Sequence, residues 1–141
     1  MMKAIFGIFV LVSLVLASPS FAAEDTLFAD MGGQAGIEKL VKASVDNYLA
    51  DDRIKAIFDE SNMDRIRMEL TDQFCQVAGG PCVYKGHDMV AAHKGLHLTN
   101  ANFNALVEDL QAAMDTCDIS FATQNRFLAR LAPYQREVVT K

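Results

Sequence analysis

Along most of the chain, apolar residues recur every three or four positions rather than every second one, the spacing of amphipathic helices and not of half-buried strands. Ile37, Leu40, Val41, Val45, Tyr48 and Leu49 mark a first long helix behind the Gly32-Gly33 turn, and Asp51-Asp52 closes it. Arg53 to Phe58 forms a short helical turn. Ser61 or Asn62 can cap the next helix by accepting an amide hydrogen bond. Its apolar face is Met63, Ile66, Leu70, Phe74 and Val77, and Gly79-Gly80-Pro81 ends it. Asp88 is placed to cap a very short helix, Met89 to Lys94, which Gly95 stops. Thr99 caps a longer helix carrying Phe103, Leu106, Val107, Leu110 and Met114. After a polar break near Asp118, a last helix bears Phe127, Leu128, Leu131 and Val138, with Pro133 expected to kink or shorten it. Short connections between several amphipathic helices define one all-α domain.

The amino-terminal stretch stands outside this pattern. Met1-Met2-Lys3 is a basic start, Ala4 to Ala17 is an almost unbroken apolar run, and Ser18-Pro19-Ser20-Phe21-Ala22 supplies a breaker and small residues. Together these describe a secretory signal peptide over residues 1–22. An uncleaved anchor is the rival reading, but the apolar run is shorter than the ~20 residues a spanning helix needs. The expectation is an exported protein, periplasmic or secreted, with no stable membrane anchor after cleavage. The domain proper is then 23–141, 119 of the 141 residues, enough for one small core. Losing Lys3 takes the formal charge from -5 to -6. An acidic domain without a basic cluster argues against nucleic acid as a partner.

Three cysteines make an odd count for an exported chain. Cys75 and Cys82 flank Gly79-Gly80-Pro81, a turn able to bring them together, and a bridge there is worth on the order of 2 kcal/mol. Three free thiols, with Cys75 packed in the core, is the other possibility. Among metal-ligand types, His93 shares a face with Met89 and Val90, where a histidine is more often a satisfied core residue than a ligand. A zinc site from Cys82, His87, His93 and His97 lacks a tight Cys-x-x-Cys or a regular helical histidine pair, because Gly95 intervenes. No Ser–His–Asp arrangement, phosphate loop or nucleotide fingerprint is present.

From Phe28 to Val139 the chain resembles a group I truncated haemoglobin. The ordered pieces are Met31-Gly32-Gly33, Leu49-Ala50-Asp51-Asp52, Ile57-Phe58, Asn62-Met63, Gly79-Gly80-Pro81, Tyr84-Lys85-Gly86, Met89 with Ala92-His93-Lys94-Gly95, Leu98-Thr99 leading to Phe103, and Leu131-Ala132-Pro133. Each is weak alone; their order and ungapped spacing carry the match. The resemblance implies a two-over-two helical sandwich around haem b (iron protoporphyrin IX), with His93 as the proximal iron ligand and Phe58 packing on the haem. It places Met63, Ile66, Leu70, Phe74, Met89, Leu98 and Phe103 at apolar pocket positions. Lys94, Arg67 and Tyr84 are candidates to meet the propionates, since cations and hydroxyls suit carboxylates; solvent-exposed surface is the alternative for each.

The chain departs from the better-known pattern on the distal side. Where that pattern has a tyrosine and often a glutamine, the same spacing puts Val45 and Leu70, with Ile66 one turn earlier. Tyr48 lies further along the first long helix and Gln73 further along the next. A missing distal donor removes about 1–3 kcal/mol from oxygen binding, a loss of roughly ten- to a hundred-fold in affinity. Carbon monoxide and nitric oxide draw less charge and suffer less. The sequence therefore points to a haem protein that binds diatomic gases in an apolar distal pocket. A haem enzyme on the same fold, dioxygenating nitric oxide or turning over peroxide, and a cofactor-free secreted helical interaction module are the alternatives. Oligomeric state is not encoded in any motif.

Overall fold

A computed structural model describes residues 25–141, so the expected signal peptide at 1–22 lies outside the described residues. Within them the chain is helical and contains no strand. The elements are α1 (Leu27–Asp30), α2 (Gly33–Ala50), α3 (Met63–Val77), α4 (Met89–Ala92), α5 (Asn100–Thr116), α6 (Phe121–Leu131) and α7 (Gln135–Val138). Single 3-10 turns occupy Lys55–Phe58 and Ala132–Tyr134.

Local chemistry sets most boundaries. Asn62 caps α3 by accepting from the Arg65 amide at 3.0 Å, which decides between Ser61 and Asn62. Thr99 and Asn102 form a reciprocal capping box at the start of α5. Ser120 caps α6, and Asp118, earlier in the break, has a φ of 58°. Beyond α6, Pro133 sits in the 3-10 turn that separates α6 from α7, so the expected last helix is divided in two. Gly36 has a positional reason: a Cβ there would collide with the Met31 carbonyl, where α1 turns into α2. α4 is shorter than its sequence suggests, ending at Ala92 with His93 as its C-cap.

α2 and α3 pack on each other; α2 lies against α5 and α3 against α6, a two-over-two sandwich. The face of α2 formed by Ile37, Leu40, Val41, Val45 and Tyr48 is buried, as is the facing set Ala105, Leu110, Ala113 and Met114 of α5. Phe74 of α3 and Phe127 of α6 meet edge to face at 5.1 Å between ring centres, joining the second pair of helices. α1 packs across α2 and α6, where Arg130 forks onto both Asp25 carboxylate oxygens at 2.8 Å and Arg126 reaches Asp30 at 2.6 Å. A Cys75–Cys82 disulfide ties the end of α3 to the following loop, and Cys117 is a free thiol. Among the described residues no helix is long and apolar enough to cross a membrane.

Candidate functional site

α4 is four residues long and exists because Asp88 holds its first turn, accepting from the Ala91 amide at 2.8 Å. That turn ends on His93, whose ring faces a cavity of about 480 Å³. The volume falls within the range of small-molecule and cofactor pockets. Nδ1 of His93 lies 2.7 Å from the Met89 carbonyl oxygen. A carbonyl only accepts, so Nδ1 carries a proton, and in the neutral ring Nε2 then keeps its lone pair for another partner. Gly95, at φ +81°, and the C-terminal tail then fix the chain beyond the histidine. Thr140 and Lys141 amides both donate to the Leu98 carbonyl, at 2.9 and 3.1 Å, and Thr140 Oγ1 accepts from the Leu98 amide at 3.1 Å.

The cavity walls come from facing helices. α3 contributes Ile66, Leu70, Gln73 and Phe74; α5 contributes Phe103, Leu106, Val107 and Leu110. Phe58, Met89, Leu98, Tyr84 and His93 complete much of the rest, with Leu128, Leu131 and Val138 closing the end near the C-terminus. Thus Phe58, Ile66, Leu70, Phe74, Met89, His93, Leu98, Phe103 and Tyr84, all singled out from sequence, converge on one space. The cavity is largely apolar, which suits a planar hydrophobic group held by a few polar contacts at its edge.

Four residues fall elsewhere. Val45 is fully buried in the core but does not line the cavity; Tyr48, three positions on, lines it instead, its ring stacked on Phe58 at 6.0 Å and 6°. The two side chains are neighbours on the buried face of α2, and Tyr48 is the one that packs on Phe58 of the Lys55–Phe58 turn. Met63, the first residue of α3, packs half-buried against the core and is not a wall residue. Lys94 is exposed beyond the end of α4, outside the cavity lining. Arg67 points along α3, 3.6 Å from Asp64. Tyr84 does reach the lining, although its hydroxyl donates to the His87 carbonyl at 2.7 Å.

Polar residues at the wall include some that the spacing of the sequence did not single out. Glu69 lines the cavity and is paired with Arg65 Nε at 2.8 Å. Gln73 donates to Met89 Sδ at 3.1 Å, a weak acceptor, which draws its amide toward α4. Tyr48 is 2% exposed. Burial, above all, pushes its hydroxyl pKa well up, the Ser44 hydroxyl one turn back offsets part of this, and the Asp109 carboxylate adds to it, so the phenol stays protonated. No group of three or more His, Cys, Asp or Glu side chains able to hold a metal occurs among the described residues. The zinc set of Cys82, His87, His93 and His97 is therefore not assembled, and Cys82 is in any case bonded to Cys75.

Comparison with known proteins agrees with this geometry. The family model described as bacterial-like globin matches residues 26–140. The group 1 truncated haemoglobin of Tetrahymena thermophila is 37% identical over 97 residues, covering 69% of this chain and 80% of that protein. That of Mycolicibacterium paratuberculosis is 26% identical over 126 residues, covering 89% and 93%. The solved structure of Tetrahymena pyriformis truncated haemoglobin in its Fe(III) form superposes with a TM-score of 0.79 at 30% identity, over 82% of this chain and 98% of that one. A match running through almost every described residue, at this identity and with the same fold, means that the chain belongs to the bacterial-like globins and, among them, to the haem-binding group 1 truncated haemoglobins.

Proposed function

We propose that this globin holds haem b in the cavity between α3 and α5 through His93 and uses it to bind diatomic gases. The observation that carries the reading is the His93 ring, which lines the cavity with Nδ1 committed to the Met89 carbonyl. That bond fixes the tautomer and orients the ring, the arrangement in which Nε2 serves as a metal ligand. The residues fit the group: a largely apolar cavity, one correctly protonated imidazole, and polar side chains confined to the edge. Haem seated there supplies an iron with one coordination position for oxygen, nitric oxide or carbon monoxide.

This chain's own residues then set the environment. Phe58, Leu98, Met89 and Phe103 line the cavity with apolar surface and would exclude water from a haem held there. Ile66 and Leu70 leave the distal surface without a donor on α3, and Gln73 is turned toward Met89 Sδ. Gas is bound without a tight clamp on oxygen. On the same reading the distal residues supply no acid or base for peroxide turnover, which favours gas binding over that enzymatic alternative. At the rim, Tyr84 lines the cavity and is suited to a propionate, whereas Lys94 and Arg67 lie outside the lining. Export with cleavage after Ala22 completes the proposal, and the intact mass of the mature protein from the periplasm tests it.

The decisive experiment is the visible spectrum of the protein from haem-replete cells. A Soret band is expected, lost or strongly weakened in His93→Ala and recovered when imidazole is added to that variant. A colourless wild-type protein, or a His93→Ala spectrum identical to wild type, sinks the assignment.

A further inference from the structure

Three buried side-chain atoms lack a hydrogen-bond partner among the described residues: Ser44 Oγ, Tyr48 Oη and Asp109 Oδ2. They are not scattered. Ser44 and Tyr48 stand one turn apart on the buried face of α2, with exposures of 0% and 2%. Asp109 comes from α5, and the two helices are joined at this point by Asn47 Nδ2 donating to the Asp109 carbonyl at 3.0 Å. Tyr48 is also a wall residue of the haem cavity, so this junction lies directly behind the wall.

Buried polar groups are rarely left unpaired, and a cluster of them around one point marks an internal water, which takes about three such partners. The donor and acceptor inventory closes on a single molecule. A carboxylate only accepts, whereas each hydroxyl both donates and accepts. We propose that Ser44 Oγ, Tyr48 Oη and Asp109 Oδ2 hold one buried water between α2 and α5, and that the hydrogen bond Tyr48 donates to this water points its hydroxyl away from the cavity. The water accepts hydrogen bonds from the Tyr48 and Ser44 hydroxyls and donates one to Asp109 Oδ2. Electrostatics agree with that direction. Asp109 is the negative group felt by the Tyr48 hydroxyl, and the other charges around Asp109 are Asp51, Arg53 and Glu108, at the end of α2 and along α5. Tyr48 thereby acts as a specificity-determining residue by restraint. It gives the cavity an aromatic wall while withholding the donor that would tighten oxygen binding.

Two measurements test this, and only the second rests on the haem-binding reading. The first is proton NMR of the protein as purified, for cross-relaxation between Tyr48 ring protons and a long-lived water. The cross-peak is expected in wild type and absent in Ser44→Ala and Asp109→Leu. Its absence from wild type, with a direct Ser44–Tyr48 hydroxyl bond instead, overturns the site. The second is the oxygen dissociation rate of the ferrous protein. Asp109→Leu, which removes the anchor of the water and frees the Tyr48 hydroxyl to turn toward the cavity, should slow it by about threefold or more. A rate unchanged in Asp109→Leu shows that the junction does not hold the hydroxyl back, and overturns the restraint.

Discussion

Asp88 carries more of the site than its exposure suggests. A helix of four residues has almost no intrinsic stability, so the carboxylate that accepts from the Ala91 amide at 2.8 Å decides whether the turn presenting His93 forms at all. Replacing a cap of this kind with alanine costs about 1 kcal/mol. Asp88→Ala should therefore lose haem about fivefold faster to an excess of a haem-accepting protein, while Asp88→Asn, which keeps the acceptor, should stay close to wild type. An unchanged rate in the alanine variant would mean that α4 is held by its neighbours alone. At this same scale lies the clearest limit of reading the sequence. Spacing placed Val45 and Tyr48 on one face of α2, but not which of the two meets the cavity. That choice is tertiary: it depends on the Phe58 ring stacking on Tyr48, a contact between residues of different elements. The wall contributed by α3 was legible because Ile66, Leu70 and Phe74 follow helical spacing on an element whose cap, Asn62, is itself visible in the sequence.

Among the elements, the loop from α3 to α4 has to span the cavity's edge without regular structure of its own. Two ties discipline it. The Cys75–Cys82 bridge anchors its start, and Gln76 Oε1 accepts from the Tyr84 amide at 2.8 Å one turn's reach further on. The closed segment is short, so constraining it in the unfolded chain is worth about 2 kcal/mol by chain-entropy reasoning. Cys75→Ser combined with Cys82→Ser should lower the urea stability by about that amount, with Tyr84 and its hydrogen bond to His87 becoming mobile. Equal urea midpoints for wild type with and without reductant would argue that the thiols are unbridged in solution. The short elements were the hard ones to foresee. α1 has four residues, too few for a period, and is stabilised by the burial of Leu27 and by Asp25 and Asp30 meeting Arg130 and Arg126 from the far end of the chain. α7 is separated from α6 because Pro133 interrupts the amide ladder, and its return toward α4 is set by the tail on Leu98. Sequence spacing contains neither partner.

Over the whole molecule, the amino-terminal end of the described chain is tied to α6 through exposed ion pairs. The guanidinium of Arg130 holds the Asp25 carboxyl below its ordinary value of 3.8, and that of Arg126 does the same for Asp30. A carboxylate with a lowered folded pKa stabilises fully above its unfolded value and loses that contribution as the pH falls through the folded one. Wild-type stability should accordingly drop below 3.8, in the range where these two groups take up protons. Arg126→Gln with Arg130→Gln should lower the midpoint temperature at neutral pH and flatten its fall in acid. Parallel curves of midpoint against pH for the two proteins would show that the pairs are too well screened to matter, as exposed pairs often are.

The cavity gives the molecule its largest thermodynamic lever. A space of about 480 Å³ bounded by α3, α5 and the His93 turn leaves apolar side chains with contact on one side only, so the haem-free domain lacks part of its core and gains it back on loading. A ligand that binds only the folded state stabilises by RT ln(1 + [L]/Kd), about 4 kcal/mol at a free concentration a thousand times Kd. For a domain of this size, that corresponds to a rise in midpoint of roughly 10 °C or more. Haem-loaded protein should thus unfold well above haem-free protein, with the difference concentrated in hydrogen-exchange protection of α4 and the facing turns of α3 and α5. In His93→Ala most of that difference should vanish, since the hydrophobic contacts survive but the one covalently directed contact does not. If the variant gains as much from haem as wild type does, the cavity binds porphyrin by burial alone, and His93 is one wall residue among many rather than the group that makes this fold a haem protein.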